Sequence, residues 1–377
     1  MQNLLRNPAR SAVVAACVVA VLSPFVTAMA VSEGIKEQYA NILRGGPDVY
    51  VASDNYGSNA PIDLAAMQRL ATIQGVTRIV PRVTGRTYVR DKFIAVLGVD
   101  AKHVPRTLEM ERGRVPTGKG EVAFGRTAAE YLGMNIGSRF SITRSSDQVF
   151  EIVGLFRSHA NIRNADLLLM GFRDACELFG IRDKATDLMV YTRPGYEKIV
   201  DAIVRASEQD EKSGLPALRI QTRDVIKHYS QRGFNIKAGV FTGFYCLVFA
   251  LAIPSIGVIS GFGQSGRRRE IGVMKALGWQ TPEVLQMVAL ENLVISVISV
   301  PLVLAVAAAW IYLLNGAGIA AFFIANQGIL IPFQVPARIV PVPLVLAIMM
   351  AVILTMVGST YSTWKTAVVP PWEAMRM

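Results

Sequence analysis

Four stretches of this chain are apolar almost without interruption, and the residues between the first two alternate as they do in a water-soluble fold. Ser11 to Val31, Ala238 to Gly261, Asn292 to Leu314 and Val342 to Thr363 each meet the length of a bilayer span, roughly 20 predominantly apolar residues. The intervening polar region, Ser32 to Lys237, has about 200 residues, the size of one large domain or two small ones. Within it, Asp63 to Gln74 sets Leu64, Met67, Leu70 and Ala71 at helical spacing ahead of Gly75, a C-terminal cap. Tyr196 to Ala206 likewise sets Ile199, Ile203 and Val204 on one face. Strand-like runs lie at Val76 to Val83, Phe93 to Val99, Arg139 to Thr143, Val149 to Phe156, Ala165 to Met170 and Asp187 to Tyr191. The mixture predicts an α+β domain with two lobes. Thr222-Arg223-Asp224 then starts a helix that runs toward Ala238, so a stiff element rather than a glycine-rich linker leads into the second span.

Composition agrees with this division. Of 377 residues, 52% are hydrophobic and 18% charged, with a mean hydropathy of +0.37, which is too apolar for an ordinary soluble protein and too charged for one buried in membrane throughout. Arg6 and Arg10 precede the first apolar run and place the N-terminus in the cytoplasm and the polar domain outside. Ala28-Met29-Ala30 also fits a signal-peptide cleavage site, with Pro24 before it as a helix breaker. The length of the run favours a retained anchor, and both readings leave the polar domain on the same side. The expected fold is a membrane protein of four transmembrane α-helices with a large extracytoplasmic α+β domain between the first and second helices. Its divisions are a cytoplasmic N-terminus with the first span (1–31), the outer domain (32–237), the second span (238–261), a cytoplasmic loop (262–283), the third span (284–314), an outer loop (315–341), the fourth span (342–363) and a cytoplasmic tail (364–377).

The net charge of +11 does not point to nucleic acid, because the basic residues are scattered and interleaved with acids, as on a solvated surface with topology signals. Cys17 and Cys246 fall in spans and Cys176 stands alone in the polar domain, so that domain has no thiol pair for a disulfide and no metal-type cysteine spacing. Gly113-Arg-Val-Pro-Thr-Gly118-Lys119-Gly120 has P-loop spacing but ends in glycine where a magnesium-binding hydroxyl belongs, and a strand-like run follows it instead of a helix. His103, His159 and His228 are far apart, with no second histidine at ligand spacing. No serine or cysteine sits in a nucleophile motif. The chain is expected to be non-catalytic and to bind no metal or cofactor itself.

The segment Arg267-Arg-Arg-Glu-Ile-Gly-Val-Met-Lys-Ala-Leu-Gly278 lies between the second and third spans. Arg267, Arg268 and Arg269 would crowd the positive end of any helix begun there, so they are expected to meet lipid phosphate, a protein partner, Glu270 or Glu291. Ile271, Met274 and Leu277 would line one face of a short amphipathic helix that needs an apolar cover. Two readings fit: a topology anchor lying on the membrane, and a partner-binding helix. Thr281-Pro282-Glu283 reads as N-cap, first-turn proline and dipole-compatible acid for the next helix. Glu291, an acid at a membrane boundary, is a candidate to support the loop. Gly239 with Gly243 and Gly257 with Gly261 have small-xxx-small spacing, a candidate helix-packing face.

With Glu291 beyond it, the segment from Arg267 to Gly278 resembles the cytoplasmic loop and third span of the MacB/FtsX-type permeases, the mechanotransmission (type VII) class of ABC transporters. The tail Pro371-Trp-Glu-Ala-Met-Arg376 is similar to their closing Pro-x-Glu-Ala-Leu-Arg, with Trp372 and Met375 as departures. Gly113, the stretch from Gly120 to Gly137, and Val153-Gly-Leu-Phe156 look like their periplasmic core. The resemblance implies a homodimer in the bacterial inner membrane with both termini cytoplasmic, and a separate cytoplasmic ATPase, the holder of ATP and Mg, on each coupling loop. It decides for the partner-binding helix and assigns the ATPase contact to Arg267, Arg268, Arg269, Glu270, Ile271, Met274 and Leu277. The implied function is export of a hydrophobic compound, peptide or lipoprotein, with a periplasmic adaptor as a candidate partner. Two alternatives stand beside it: a signal transmitter that activates a cell-wall hydrolase, and an efflux permease for haem or another small amphiphile, for which Met29 and Glu33 are the nearby ligand candidates.

Overall fold

The structure is a computed structural model and describes residues 8–142, 145–158, 166–193, 198–212, 215–261, 271–324 and 333–367. It divides into two compact units, one of apolar helices and one built on Ile35–Gly233. The chain opens with helix α1 (Pro8–Arg44), which passes Pro24 without a break and continues beyond Val31, through Ser32 and Glu33, to Arg44.

The polar unit begins with β1 (Val49–Asn55), β2 (Ser58–Ala60), β3 (Ile62–Asp63) and α2 (Ala65–Ala71). The long strand β4 (Val76–Val89) turns at Arg90 and Asp91, both in the left-handed region, into β5 (Lys92–Gly98). Next come β6 (Leu108–Gly113), β7 (Glu121–Gly125), α3 (Arg126–Leu132), β8 (Arg139–Ile142), β9 (Ser145–Ser158) and β10 (Leu167–Met170). The unit closes with α4 (Phe172–Phe179), β11 (Lys184–Ala185), β12 (Asp187–Thr192), α5 (Lys198–Lys212) and β13 (Leu218–Thr222). The main sheet runs β13-β1-β12-β4-β5-β10-β7-β9-β6. It is mixed: β5 with β10 and β7 with β9 pair in parallel, while β4 is antiparallel to both its neighbours.

Strand β4 divides its hydrogen bonds lengthwise. Val76–Arg82 pair with β12, and Val83–Val89 pair with β5. The two lobes expected from the sequence therefore share one strand. Each lobe has its own core: Val49, Val51, Leu70, Leu188 and Ile203 in the first, Ile94, Phe124, Phe150, Ile152 and Leu168 in the second. A third cluster, with Val80, Leu97, Leu167, Leu169 and Met189, uses the alternate residues of the same strands. Successive side chains of a strand point to opposite faces, and burial on both faces is why β5, β10 and β12 read as continuous apolar runs.

The expected strand at Val76 extends to Val89, because its second half forms the hairpin with β5. β1, β6, α3, α4 and β13 are among the elements that the spacing does not predict. β1 turns polar after Ala52 and β13 is an edge strand with no buried residue. Helix α4 is short, but two glycines give it a seat. A Cβ on Gly98 would lie 2.2 Å from Ala175 Cβ, and one on Gly85 would lie 2.4 Å from the Phe179 ring.

In the apolar unit, α1 up to Gly34 packs with α6 (Arg223–Gly261, from Phe234), α7 (Thr281–Leu314), the short α8 (Ile319–Ile324) and α9 (Pro341–Ala367). Four of these helices are long and apolar enough to cross a membrane, and helices satisfy their own backbone groups where lipid offers no partner. The expected helix start is present, since Thr222 Oγ1 accepts from the Val225 N–H at 3.2 Å. Val18, Leu22, Phe25, Tyr245, Ile256 and Ala307 are among the residues of the core, and the Tyr245 hydroxyl donates to the Val21 carbonyl at 2.7 Å. On α7 and α9 the small residues Ser296, Ser299, Ala347 and Ala351 are buried, and Ser296 Oγ lies 2.6 Å from Thr355 Oγ1 across the two helices. Small residues permit close approach, and a hydroxyl pair shielded from water fixes it. Lys237 Nζ donates to the Phe323 carbonyl at 3.0 Å, satisfying an otherwise orphaned group at the end of α8.

Gly98→Val is expected to overpack the seat of α4 and destabilise the polar unit by about 1–3 kcal/mol. Thermal unfolding of the purified full-length chain should show a lowered midpoint; an unchanged midpoint would mean that α4 yields freely.

Candidate functional site

Residues 271–276 are helical, and the chain turns out of that helix at Gly278, whose φ of +96° suits glycine alone at no steric cost. The Trp279 N–H reaches back to the Met274 carbonyl at 3.1 Å and the Gly278 N–H to Lys275 at 3.0 Å, satisfying the helix end. The next helix begins one residue earlier than expected. Gln280, extended at φ −84° and ψ 155°, is the N-cap of α7, and Glu283 Oε2 accepts from its N–H at 2.9 Å. Glutamate at the third helical position reaches this N–H, which selects Gln280 over Thr281.

The expected apolar face is split. Ile271 is 2% exposed and packs on the fully buried Val284, with Met274 partly covered beside them. Leu277, at 76% exposure, points away together with Trp279, because the sixth residue on from Ile271 sits about 120° round the helix, and the glycine turn after it carries Trp279 off. The segment is thus fastened to α7 through Ile271 and Met274 and presents Leu277 and Trp279 outward. Glu291 is half-buried on α7. Arg267, Arg268, Arg269 and Glu270 lie outside the described residues, as do Gly263, Gly266 and the tail from Pro371 to Arg376.

Gly257 meets α9 closely, since a Cβ there would stand 3.1 Å from the Gly358 carbonyl oxygen. Gly239 and Gly243 have no neighbour within 4 Å of a built Cβ, and Gly261 closes α6. Of the four apolar helices, α6 has the least covered window.

The P-loop look-alike turns its donors on the protein itself. Glu121 accepts from the Gly118 N–H at 2.9 Å, the Thr117 N–H at 3.1 Å and Arg114 Nη1 at 2.7 Å, with Arg114 Nη2 on its second oxygen. Asp174 takes the Gly120 N–H at 2.8 Å. The Arg114 guanidinium, followed by the two backbone N–H groups, pulls the Glu121 carboxyl down to about 2 from its ordinary 4.5. Burial pushes the Cys176 thiol up to about 11, so it is protonated at neutral pH and a poor nucleophile. His103 sits in a single 3-10 turn, and His228 stacks edge-on against Tyr229; His159 is outside the described residues. No group of three metal-ligating side chains forms among the described residues.

Long apolar helices that precede and follow a mixed α+β unit along the chain define an integral membrane protein with a large extramembrane domain. Two family models cover it. The MacB-like periplasmic core domain matches residues 12–206, just over half of the chain, and the FtsX-like permease C-terminal model matches residues 242–371. The chain belongs to the MacB/FtsX-type ABC transporter permeases, and with its four apolar helices it is an integral inner-membrane protein. Three solved structures are similar to part of it. The periplasmic region of MacB from Actinobacillus actinomycetemcomitans is 12% identical with a TM-score of 0.39, over 51% of this chain and 97% of that one. The extracellular domain of the noncanonic ABC-type transporter YknZ from Gram-positive bacteria is 16% identical with a TM-score of 0.36, over 47% and 99%. A domain of a putative permease protein from Porphyromonas gingivalis is 18% identical with a TM-score of 0.32, over 46% and 88%. Among curated proteins none matches.

Because the Glu121 carboxyl is depressed in the folded state, the stability it confers is complete above pH 4.5 and is lost as the pH falls toward about 2. Glu121→Gln should therefore lower the midpoint at neutral pH and flatten its decline across that window. Thermal unfolding at a series of pH values tests this, and parallel curves for the two proteins would refute it.

Proposed function

We propose that this chain couples a separate cytoplasmic ATPase, which binds ATP and Mg, to movement of its extracytoplasmic domain, and that the work done is export of a hydrophobic compound, peptide or lipoprotein. The observation that carries the reading is the fastening at Ile271 and Val284 beside the outward-facing Leu277 and Trp279. A partner seated on the exposed side chains would load α7 directly. Arg267, Arg268, Arg269 and Glu270 would add charged contacts, and Glu291 would hold the loop to the third span. In this reading both termini are cytoplasmic.

Stiffness supports the rest of the path. α1 is one helix over Pro8–Arg44 and α6 one helix over Arg223–Gly261, and an unbroken helix transmits displacement that a flexible linker would absorb. A second copy of the chain completes the assembly. The uncovered window of α6, where Gly239 and Gly243 leave room for a neighbouring helix, is the face that suits it. A periplasmic adaptor would join the extracytoplasmic domain.

Leu277→Asp tests the coupling, because Leu277 is exposed and its loss leaves the Ile271 contact intact. Mild-detergent purification of the tagged chain should recover an ABC ATPase, identified by its Walker-A peptide, with wild type and lose it with the variant, while both remain in the alkali-resistant membrane fraction. Equal recovery would sink the reading. A cell-wall hydrolase recovered with the ATPase, in place of an adaptor, would move the function from export to signalling.

A further inference from the structure

On the sheet face that carries Val80, Leu97 and Met189, the polar unit holds a cavity of about 380 Å³, a size typical of small-molecule sites. Three kinds of wall meet there. Leu97, Leu108, Leu167 and Met189 form an aliphatic side. Tyr39, Tyr50 and Tyr191 bring rings, and Arg82 and Arg86 bring cations. Among the described residues, no acid lines the cavity.

Strand periodicity builds the basic wall. Arg78, Arg82 and Arg86 share one face of β4, and each guanidinium lies over an aromatic ring: Tyr191 at 4.1 Å, Tyr50 at 4.9 Å and Phe93 at 5.2 Å. The carboxylates that hold Arg82 and Arg86 stand outside the lining. Asp187 grips Arg82 through Nε at 2.9 Å and Nη2 at 2.7 Å, and Arg82 Nη1 makes no hydrogen bond among the described residues. Asp166 accepts from Arg86 Nη2 at 3.0 Å. Asp166 is fully buried and its Oδ1 has no partner among the described residues. Burial also pushes its carboxyl above the ordinary range.

We infer that this cavity binds an amphipathic organic anion, with its carboxylate or phosphate on Arg82 and Arg86 and its apolar body between the tyrosine rings and the Leu97–Met189 wall. A guanidinium fork matches the two oxygens of such a head group. A cationic amphiphile would meet two arginines, and a neutral apolar guest would cover Arg82 Nη1 without offering it an acceptor. The ion pairs explain how the arginines are held; they do not explain the aromatic and aliphatic walls beside them. The assignment concerns binding alone and does not rest on the coupling reading, so its failure would leave that reading standing.

Two sources carry this chemistry, a membrane-derived acyl anion and a soluble aromatic acid. Titration calorimetry of the full-length chain in zwitterionic-lipid nanodiscs, against empty nanodiscs, distinguishes them with dodecanoate and 2-naphthoate, with dodecyltrimethylammonium and 2-naphthol as the cationic and neutral counterparts. Saturable binding of at least one anion is expected, at least tenfold tighter than its counterpart; dodecanoate alone indicates the acyl source and 2-naphthoate alone the aromatic one. Thr107→Trp, which fills the cavity and touches neither ion pair, should abolish binding. Arg82→Leu combined with Asp187→Leu, which leaves no buried charge alone, should weaken the anion at least tenfold without changing the response to 2-naphthol. Thermal unfolding identifies which variants fold, and either folded variant suffices. Retained anion binding in a folded variant, equal binding of anion and cation, or no saturable binding of either anion to wild type would overturn the assignment.

Discussion

The polar unit depends on the two-sided hydrogen bonding of β4. With one half committed to β12 and the other to β5, neither lobe can slip in register without unpairing the other, and a slip of one residue would turn every side chain of the strand to the wrong face. That alternation puts Val83 in the core of the second lobe, and Val80 beside Leu97 and Met189 on the opposite side. It also places the three arginines on one face. The cores, the seat of α4 over Gly85 and Gly98, and the basic wall of the cavity all follow from one strand keeping its register.

The apolar unit is governed by the absence of water. Apolar surface alone does not drive helices together in lipid, so small residues and shielded hydroxyls do more of the work. Ser296 and Thr355 join α7 to α9 side chain to side chain, and Gly257 lets α6 approach the backbone of α9. Three of the long helices contain proline in their interior, at Pro24, Pro254 and Pro301. Surrounding helices tolerate the freed carbonyls that would break an isolated helix in water.

These constraints decide what could be read from the chain. The apolar helices were legible because a continuous apolar run of about 20 residues has only the helix open to it in lipid, and β5, β10 and β12 because burial on both faces leaves no polar residue to interrupt them. The continuation of α1 to Arg44 was harder to see, since the apolar signal stops at Val31 and only polar helix formers carry it onward. β13 was hidden because an edge strand need not be apolar. In the loop, helical spacing identified Ile271 and Met274 as an inward face but carried the periodicity one step too far, to Leu277, which six residues on has drifted about 120° round the helix from Ile271. The cavity left no local trace, because its walls come from positions as distant as Tyr39 and Tyr191 and exist only once the strands are assembled.

The loop from Gly113 to Gly120 shows how spacing alone can mislead. Its backbone donors do form an anion receptor, but Glu121 is tethered to it, and a tethered group competes at an effective concentration of about millimolar or higher. A free phosphate would have to displace a ligand that never diffuses away. Receptor and occupant have been written into the same few residues, so the loop acts as a self-filled clasp that closes the β6–β7 connection, and at neutral pH its vacancy would require a change of sequence.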